Sequence, residues 1–408
     1  SARNGYSTTV CKAALTRKNA PNKVMSTKAS RMGLLRRGVV DISRAELFVA
    51  DGGEHSGSHG KGDDDGQQRS LPSVPLGTQK ASGFQARPAK EALCHAVRNN
   101  PPVYQVARPS RSTFVRIRTL DYHVRLWGDG ADAQAPPLVL LHGWMDVAAS
   151  YQFVVDAFGP DFLRTRTIIA PDWRGFGLSK PPAPCDHYLF VDYLADLDFL
   201  LDHFAGDRPV DLVGHSMGGN VAMHYAGARA ARIRRLIDLE GFGMPATDPR
   251  TAPAHCAQWM DELKLLYQGK MALQSYDGPG GVAQRLAKTN PRLAPDKAEW
   301  LARHWAQPGE DGRWRILGDP AHKVVGAYRS RLEEVLALYA AISAPTLVVE
   351  ASDNGLRKWS GDTYTLEEFH ARLRHVRDCR RMVVPDAGHM LHHDQPEAVA
   401  RLIEQFVL

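Results

Sequence analysis

Apolar positions recur with different periods along the chain, and the changes of period mark its organisation. Thr113-Phe114-Val115-Arg116-Ile117-Arg118 and Tyr122-His123-Val124-Arg125-Leu126-Trp127 alternate apolar with polar residues, as strands with one buried face do. Leu120-Asp121 is placed as the turn of this opening hairpin. Leu138-Val139-Leu140-Leu141 and Pro209-Val210-Asp211-Leu212-Val213 are nearly continuous apolar runs, expected of strands covered on both faces of a parallel sheet. Thr167-Ile168-Ile169-Ala170 and Arg235-Leu236-Ile237-Asp238-Leu239 fit the same sheet. Helical spacing runs from Tyr188 to Phe204 through Leu189, Tyr193, Leu194, Leu197, Leu200 and Leu201, and helices are also expected at Ala148–Phe158 and after Asn220. Strands alternating with helices predict an α/β fold with a mostly parallel sheet, whose site is built by loops at the carboxyl ends of the strands.

The alternation breaks from about Met244 to Ala340, where the sequence reads as helix with no clear strand. Pro345-Thr346-Leu347-Val348-Val349-Glu350 restores the strand signal. Thr365-Leu366-Glu367-Glu368 is a capping box, Arg381-Met382-Val383-Val384 is the last strand, and Asp394-Gln395-Pro396-Glu397 is expected to cap a final helix. The middle segment is therefore read as a helical cap of about residues 244–340, inserted before the penultimate strand. There is no internal repeat.

Composition changes this picture mainly at the N-terminus. The chain has 408 residues, is 43% hydrophobic and carries a formal charge of +6. That positive excess lies in the first ~110 residues, while the rest is slightly negative, so the charge does not point to a nucleic-acid partner. Asp51 to Ser70 is Gly, His, Asp, Gln and Ser around Asp63-Asp64-Asp65, too little apolar surface to offset the entropy of ordering. Residues 1–110 are expected to be a disordered extension and 111–408 the folded domain. Residues 1–40 lack acids and are rich in Lys, Arg, Ser and Thr, as an organellar transit peptide is. The amphipathic helix of a presequence is weak, however, and the preferred reading is an extension of a cytoplasmic protein. No apolar run approaches the ~18 residues of a membrane span. Five scattered cysteines without C-x-x-C spacing fit a reducing compartment.

Candidate chemistry gathers at the strand ends. Gly214-His215-Ser216-Met217-Gly218-Gly219 sits between a predicted strand and a predicted helix, which is the context that makes G-x-S-x-G a nucleophile elbow. Ser216 needs a base, and the base needs an orienting group. His389, in Asp386-Ala387-Gly388-His389-Met390, follows the last strand and is taken as the base. Asp353, just past the strand after the cap, is favoured as the acid because it lies between nucleophile and histidine in chain order. Glu240, just past the strand that follows Ser216, is the alternative. The oxyanion donors expected are the N–H groups of Met217 and Trp144. Asp172, in Asp-x-Arg-Gly, is read as holding its loop by hydrogen bonds. His392 and His393 stand at helical spacing from His389, but neither an H-E-x-x-H motif nor a cysteine pair accompanies them, so no metal is expected.

His142-Gly143-Trp144, the Asp-x-Arg-Gly-x-Gly-x-Ser run at 172–179, Gly-His-Ser-Met-Gly-Gly at 214–219 and Gly388-His389-Met390 together resemble the α/β-hydrolase superfamily, over about 113–408. Within it the chain is similar to the serine-hydrolase-like and esterase-like branch. The resemblance implies a cofactor-independent hydrolase of ester or related acyl bonds acting on a small-molecule substrate. An acyltransferase, a carbon–carbon bond hydrolase or a non-catalytic binding protein are the other functions the same scaffold could carry. Dehalogenases and epoxide hydrolases of this fold carry an aspartate where Ser216 stands, which disfavours those activities. Leu239-Glu240-Gly241-Phe242 resembles dehalogenases that place their acid after that strand. Around Asp353 the usual Gly-x-x-Asp pattern is altered: Ala351 replaces the glycine, and Asp353 comes one residue early.

Overall fold

A computed structural model describes residues 103–128 and 134–408; of the extension expected over residues 1–110, residues 1–102, with Cys11 and Cys94, lie outside the described residues. Eight strands form the main sheet in the order β1-β2-β4-β3-β5-β6-β10-β11. They are β1 (Arg111–Ile117), β2 (Leu120–Trp127), β3 (Leu138–Leu141), β4 (Ile168–Pro171), β5 (Val210–His215), β6 (Ile233–Leu239), β10 (Thr346–Ala351) and β11 (Cys379–Val384), the numbers β7 to β9 belonging to short strands between β6 and β10. β1 and β2 pair antiparallel with Ile117 opposite Leu120, and β2 runs antiparallel to β4. All later neighbours are parallel. The hairpin turns at Arg118-Thr119, two residues earlier than expected. Leu120 belongs to β2 because its side chain is buried in the core, which a turn position would not permit.

The period-two alternation survives in the doubly covered strands as a division between two cores. Val139, Leu141, Leu212, Leu236 and Val348 face one side of the sheet, against the helices Phe190–Ala205 and Met217–Ala228. Leu138, Leu140, Val213, Ile237 and Val349 face the other, against the helices Gln152–Ala157 and Pro396–Val407. Each of these side chains contributes about 1.5–3 kcal/mol by burial, so both helical layers are tied to the same strands.

Between β6 and β10 the chain leaves the sheet. Helices Ala252–Tyr267, Pro279–Thr289 and Pro295–Trp305 come with three short strands, β7 (Ser275–Tyr276), β8 (Ala306–Pro308) and β9 (Trp314–Ile316), in the order β7-β9-β8. The reading of this insertion as purely helical missed that small sheet, whose strands of two or three residues are too short to show a period. Trp300, Trp305, Trp314 and Tyr276 pack into the insertion's own core with Val282, Leu286 and Leu301. Val147, Ala149 and Phe153, from the segment that follows β3, share that core.

The folded chain also begins earlier than the expected boundary at residue 111. Tyr104 packs edge-on against Phe153 at 5.0 Å and Trp300 at 5.4 Å, and its hydroxyl donates to Asp156. The Asp156 carboxylate further accepts from the backbone N–H groups of Ala107 and Arg108. One aromatic anchor and one carboxylate thus dock a segment whose composition looks unstructured. A chain beginning at Val103 should melt roughly 3–6 °C above one beginning at Arg111, from the loss of Tyr104 burial and its hydrogen bonds; equal melting temperatures by calorimetry would show that this docking contributes no stability.

Candidate active site

The elbow is built by close backbone approach. Ser216 stands between β5 and the helix Met217–Ala228 with φ 52° and ψ −115°, a conformation that is strained for any residue with a Cβ. The turn fits because its neighbours lack one. A Cβ on Gly214 would lie 2.2 Å from the carbonyl oxygen of Gly218, and one on Gly218 would lie 2.3 Å from that of Leu141. The Ser216 N–H donates to Leu239 O at 2.8 Å, fastening the elbow to the end of β6. Met217 is the first residue of the helix, so its N–H belongs to the first-turn group that has no intrahelical acceptor.

His389 lies on the loop after β11. Its Nε2 is 3.1 Å from Ser216 Oγ, and its Nδ1 is 3.3 Å from Glu240 Oε2. The second oxygen of Glu240 accepts from the N–H of Ala351 at 2.7 Å. The carboxylate on one side fixes the tautomer: Nδ1–H donates to Glu240, leaving Nε2 to accept from the serine hydroxyl. The Glu240 side chain is fully buried. Burial raises its pKa above the ordinary glutamate value, while the contact with His389 and the Ala351 N–H pull it down.

Asp353, the favoured acid, is placed elsewhere. Its side chain is 70% exposed and pairs with Arg292 of the insertion at 3.0 Å. Its own N–H is held by Ala387 O, and the carboxylate points outward. Chain order suggested Asp353, but strand pairing brings Glu240 to the histidine. β6 and β10 are adjacent, and Glu240 N donates to Val349 O, so the residue just past β6 arrives beside the loop after β11.

The expected oxyanion loop lies against the elbow. A Cβ on Gly143 would be 3.3 Å from Ser216 Cβ, so the backbone of His142-Gly143-Trp144 passes directly beside the serine. His142 is a buried pin. Its Nδ1–H donates to Gly143 O at 2.7 Å, its Nε2 accepts the Trp173 N–H at 2.8 Å, and its carbonyl accepts the Trp173 indole N–H at 3.0 Å. Both nitrogens are thereby assigned in a neutral ring, and burial lowers its pKa. Asp172 binds the N–H groups of Ala148 and Leu178 and pairs with His123 Nδ1 at 2.7 Å. Asp394 does not cap the final helix. Its carboxylate accepts from Gly388 N–H at 2.8 Å and from the Asn290 amide at 2.7 Å, joining the histidine loop to the insertion.

Sequence reasoning missed one assembly altogether. Asp146, His215 and His392 come together behind the serine–histidine pair, all buried. They are 69 and 177 positions apart in sequence, and no motif spacing signals them. His215 donates from Nε2 to the carbonyl of His389 at 2.8 Å. Burial first, then the neighbouring histidines, holds its pKa well below the ordinary value.

A mostly parallel sheet flanked by helices, with a serine elbow after the fifth strand and a histidine after the last, defines an α/β hydrolase. The family model described as alpha/beta hydrolase fold matches residues 136–396, and the chain belongs to that family. It is similar to a serine hydrolase-like protein of Danio rerio, 24% identical over 323 residues that cover 75% of this chain and 94% of that protein. It is also similar to a 3-hydroxybutyrate-oligomer hydrolase of Cupriavidus necator, 26% identical over 70% of this chain and 91% of that protein. Among solved structures, a thioesterase domain from the curacin biosynthetic pathway superposes with a TM-score of 0.60 at 22% identity, covering 72% of this chain and 99% of that one, a likeness of fold. No helix among the described residues is long and apolar enough to cross a membrane.

The two carboxylates separate cleanly in kinetics. Glu240→Gln should lower kcat for an activated ester by on the order of 10³–10⁴, since the histidine loses the group that holds its tautomer. Asp353→Asn, which removes only an exposed ion pair, should stay within about fivefold. The reverse ranking would return the acid role to Asp353.

Proposed function

We propose that the chain is a cofactor-independent serine hydrolase, of the class that cleaves ester bonds, acting on a carboxylic ester or related small acyl compound through an acyl-enzyme. The observation that supports this most directly is the unbroken contact from Ser216 Oγ through the His389 ring to the buried Glu240 carboxylate. In this reading Ser216 Oγ attacks the acyl carbon while its proton passes to His389 Nε2. The imidazolium that forms is balanced by Glu240 through Nδ1–H. The N–H groups of Met217 and Trp144 receive the oxyanion. Each such donor typically contributes about 3–4 kcal/mol at the transition state. His389 then protonates the leaving alcohol, and a water, deprotonated by the same ring, releases the acid and regenerates the serine.

Serine at position 216 favours acyl chemistry over the alkyl-enzyme chemistry of an aspartate nucleophile. The two contacts of His389, at 3.1 and 3.3 Å, are within the looser range expected before substrate tightens a site. The insertion, held to the loops after β3, β10 and β11 through Trp305, Arg292 and Asn290, would act as the cap that shapes the acyl pocket.

A fluorophosphonate probe should label the full chain and leave Ser216→Ala unlabelled, and turnover of an acyl-length series of esters should fall to background in the same variant. Equal labelling of both would remove Ser216 as the nucleophile. Product analysis with competing alcohols tests the acceptor: free acid as the dominant product supports hydrolysis, and ester exchange as the dominant product reassigns the protein as an acyltransferase. Ligand-induced thermal stabilisation with no turnover on any ester would favour a binding protein on the same scaffold.

A further inference from the structure

Behind the serine–histidine pair lies a group of side chains that the proposed reaction does not use. Asp146 stands on the loop after β3, His215 is the last residue of β5, and His392 lies in the short helix Leu391–Asp394. Their side chains are 3%, 1% and 0% exposed, and one ligand atom from each lies within 4.8 Å of the other two. The rings of His215 and His392 are 4.3 Å apart between centroids.

The polar atoms that meet here are unsatisfied. Asp146 Oδ2, His215 Nδ1 and both ring nitrogens of His392 are buried without a hydrogen-bond partner. The rest of the Asp146 and His215 side chains is accounted for. Asp146 Oδ1 accepts from the Val147 N–H, from the Ser150 hydroxyl and from the Trp305 indole, which fixes the carboxylate and turns Oδ2 toward the histidines. His215 Nε2 faces the carbonyl of His389 at 2.8 Å; a carbonyl accepts only, so that nitrogen carries the proton and Nδ1 carries a lone pair. Asp146 Oδ2 and His392 Nε2 are 3.9 Å apart, too far for a hydrogen bond. A neutral His392 ring carries one N–H, so its other nitrogen can present a lone pair alongside those of Asp146 Oδ2 and His215 Nδ1. Buried polar groups in folded proteins are almost always partnered, so something positive or hydrogen-bonding belongs there.

We infer that Asp146, His215 and His392 form a binding site for a divalent transition-metal ion, with zinc the first choice. One carboxylate and two neutral imidazoles are the donor set that such ions take, whereas magnesium and calcium prefer oxygen throughout. At His215 and Asp146 the second shell has the form found at metal sites: the His215 ring nitrogen away from the cluster donates to the His389 carbonyl, and the carboxylate is itself held by donors. Bonds of about 2.0–2.2 Å require the three ligand atoms to draw together from their present spacing, with water completing the tetrahedron. The ion takes no part in the proposed acyl transfer. Its ligands precede Ser216 by one residue, follow His389 by three, and share the Gly143 loop, so it clamps the three loops of the candidate active site from behind.

The test uses the full chain, stripped with a chelator and dialysed, and does not read activity. After one equivalent of Zn²⁺ and gel filtration, elemental analysis should find about one ion per chain, and the melting temperature should rise by roughly 5 °C in excess metal. Co²⁺ should give the intense visible absorption of a four- or five-coordinate, nitrogen-ligated ion. His392→Gln and Asp146→Asn should each lose retention and absorption. Should either variant fail to fold, the wild-type retention and Co²⁺ spectrum decide alone. The inference is overturned if the stripped wild type retains no zinc, if Co²⁺ shows only the weak spectrum of an octahedral surface ion, or if folded His392→Gln retains as much metal as wild type.

Discussion

Ser216 can stand at φ 52° only because the backbone passes itself at distances that no side chain would allow. Gly214 and Gly218 occupy points where a Cβ would fall 2.2–2.3 Å from a carbonyl oxygen. The strain at the serine is held by both flanks. β5 is buried along its length, and the helix Met217–Ala228 packs its Val221, Ala222, Met223 and Tyr225 into the core. That packing over-determines the turn, which is the condition under which a strained residue persists. Everything else at the site is placed relative to this point: Gly143 passes beside it, Leu239 O receives its N–H, and His389 reaches it from the far edge of the sheet.

That Glu240 and not Asp353 lies beside His389 follows from sheet geometry. Strand order puts β6 next to both β5 and β10, so the residue that leaves β6 emerges between the elbow and the histidine loop. Glu240 has φ 59°, which turns its side chain under the sheet's end, and the Ala351 N–H holds its second oxygen. Asp353 follows a longer path beyond β10 and meets Arg292 at the surface. A buried carboxylate with one imidazole and one backbone N–H can serve a forming imidazolium; an exposed one already paired with a guanidinium gains little from it.

The insertion is anchored by single polar residues as well as by its apolar core. The Trp305 indole binds Asp146, which stands on the Gly143 loop, and the Asn290 amide binds Asp394, which holds Gly388. Movement of the insertion is therefore coupled to the two loops that carry the proposed oxyanion donor and the base. The same Asp146 turns its other oxygen toward His392, so one carboxylate connects the roof, the oxyanion loop and the histidine cluster.

The sequence by itself determined the sheet, its two covered faces, the elbow and the histidine. Each is written locally, as a run of four to six apolar residues, a glycine spaced for a turn, or a loop directly after a strand. It left the acid open between two residues and ranked them by chain order. It hid the small sheet of the insertion, the docking of Tyr104, and the meeting of Asp146, His215 and His392. Those depend on which strand ends become neighbours and on single side chains reaching across long sequence separations. No periodicity records such contacts, because an isolated carboxylate or imidazole looks the same in a sequence whether it meets solvent or another buried charge. Only the folded sheet, by setting β6 beside β10 and the histidine loop beside the elbow, decided what each of them faces.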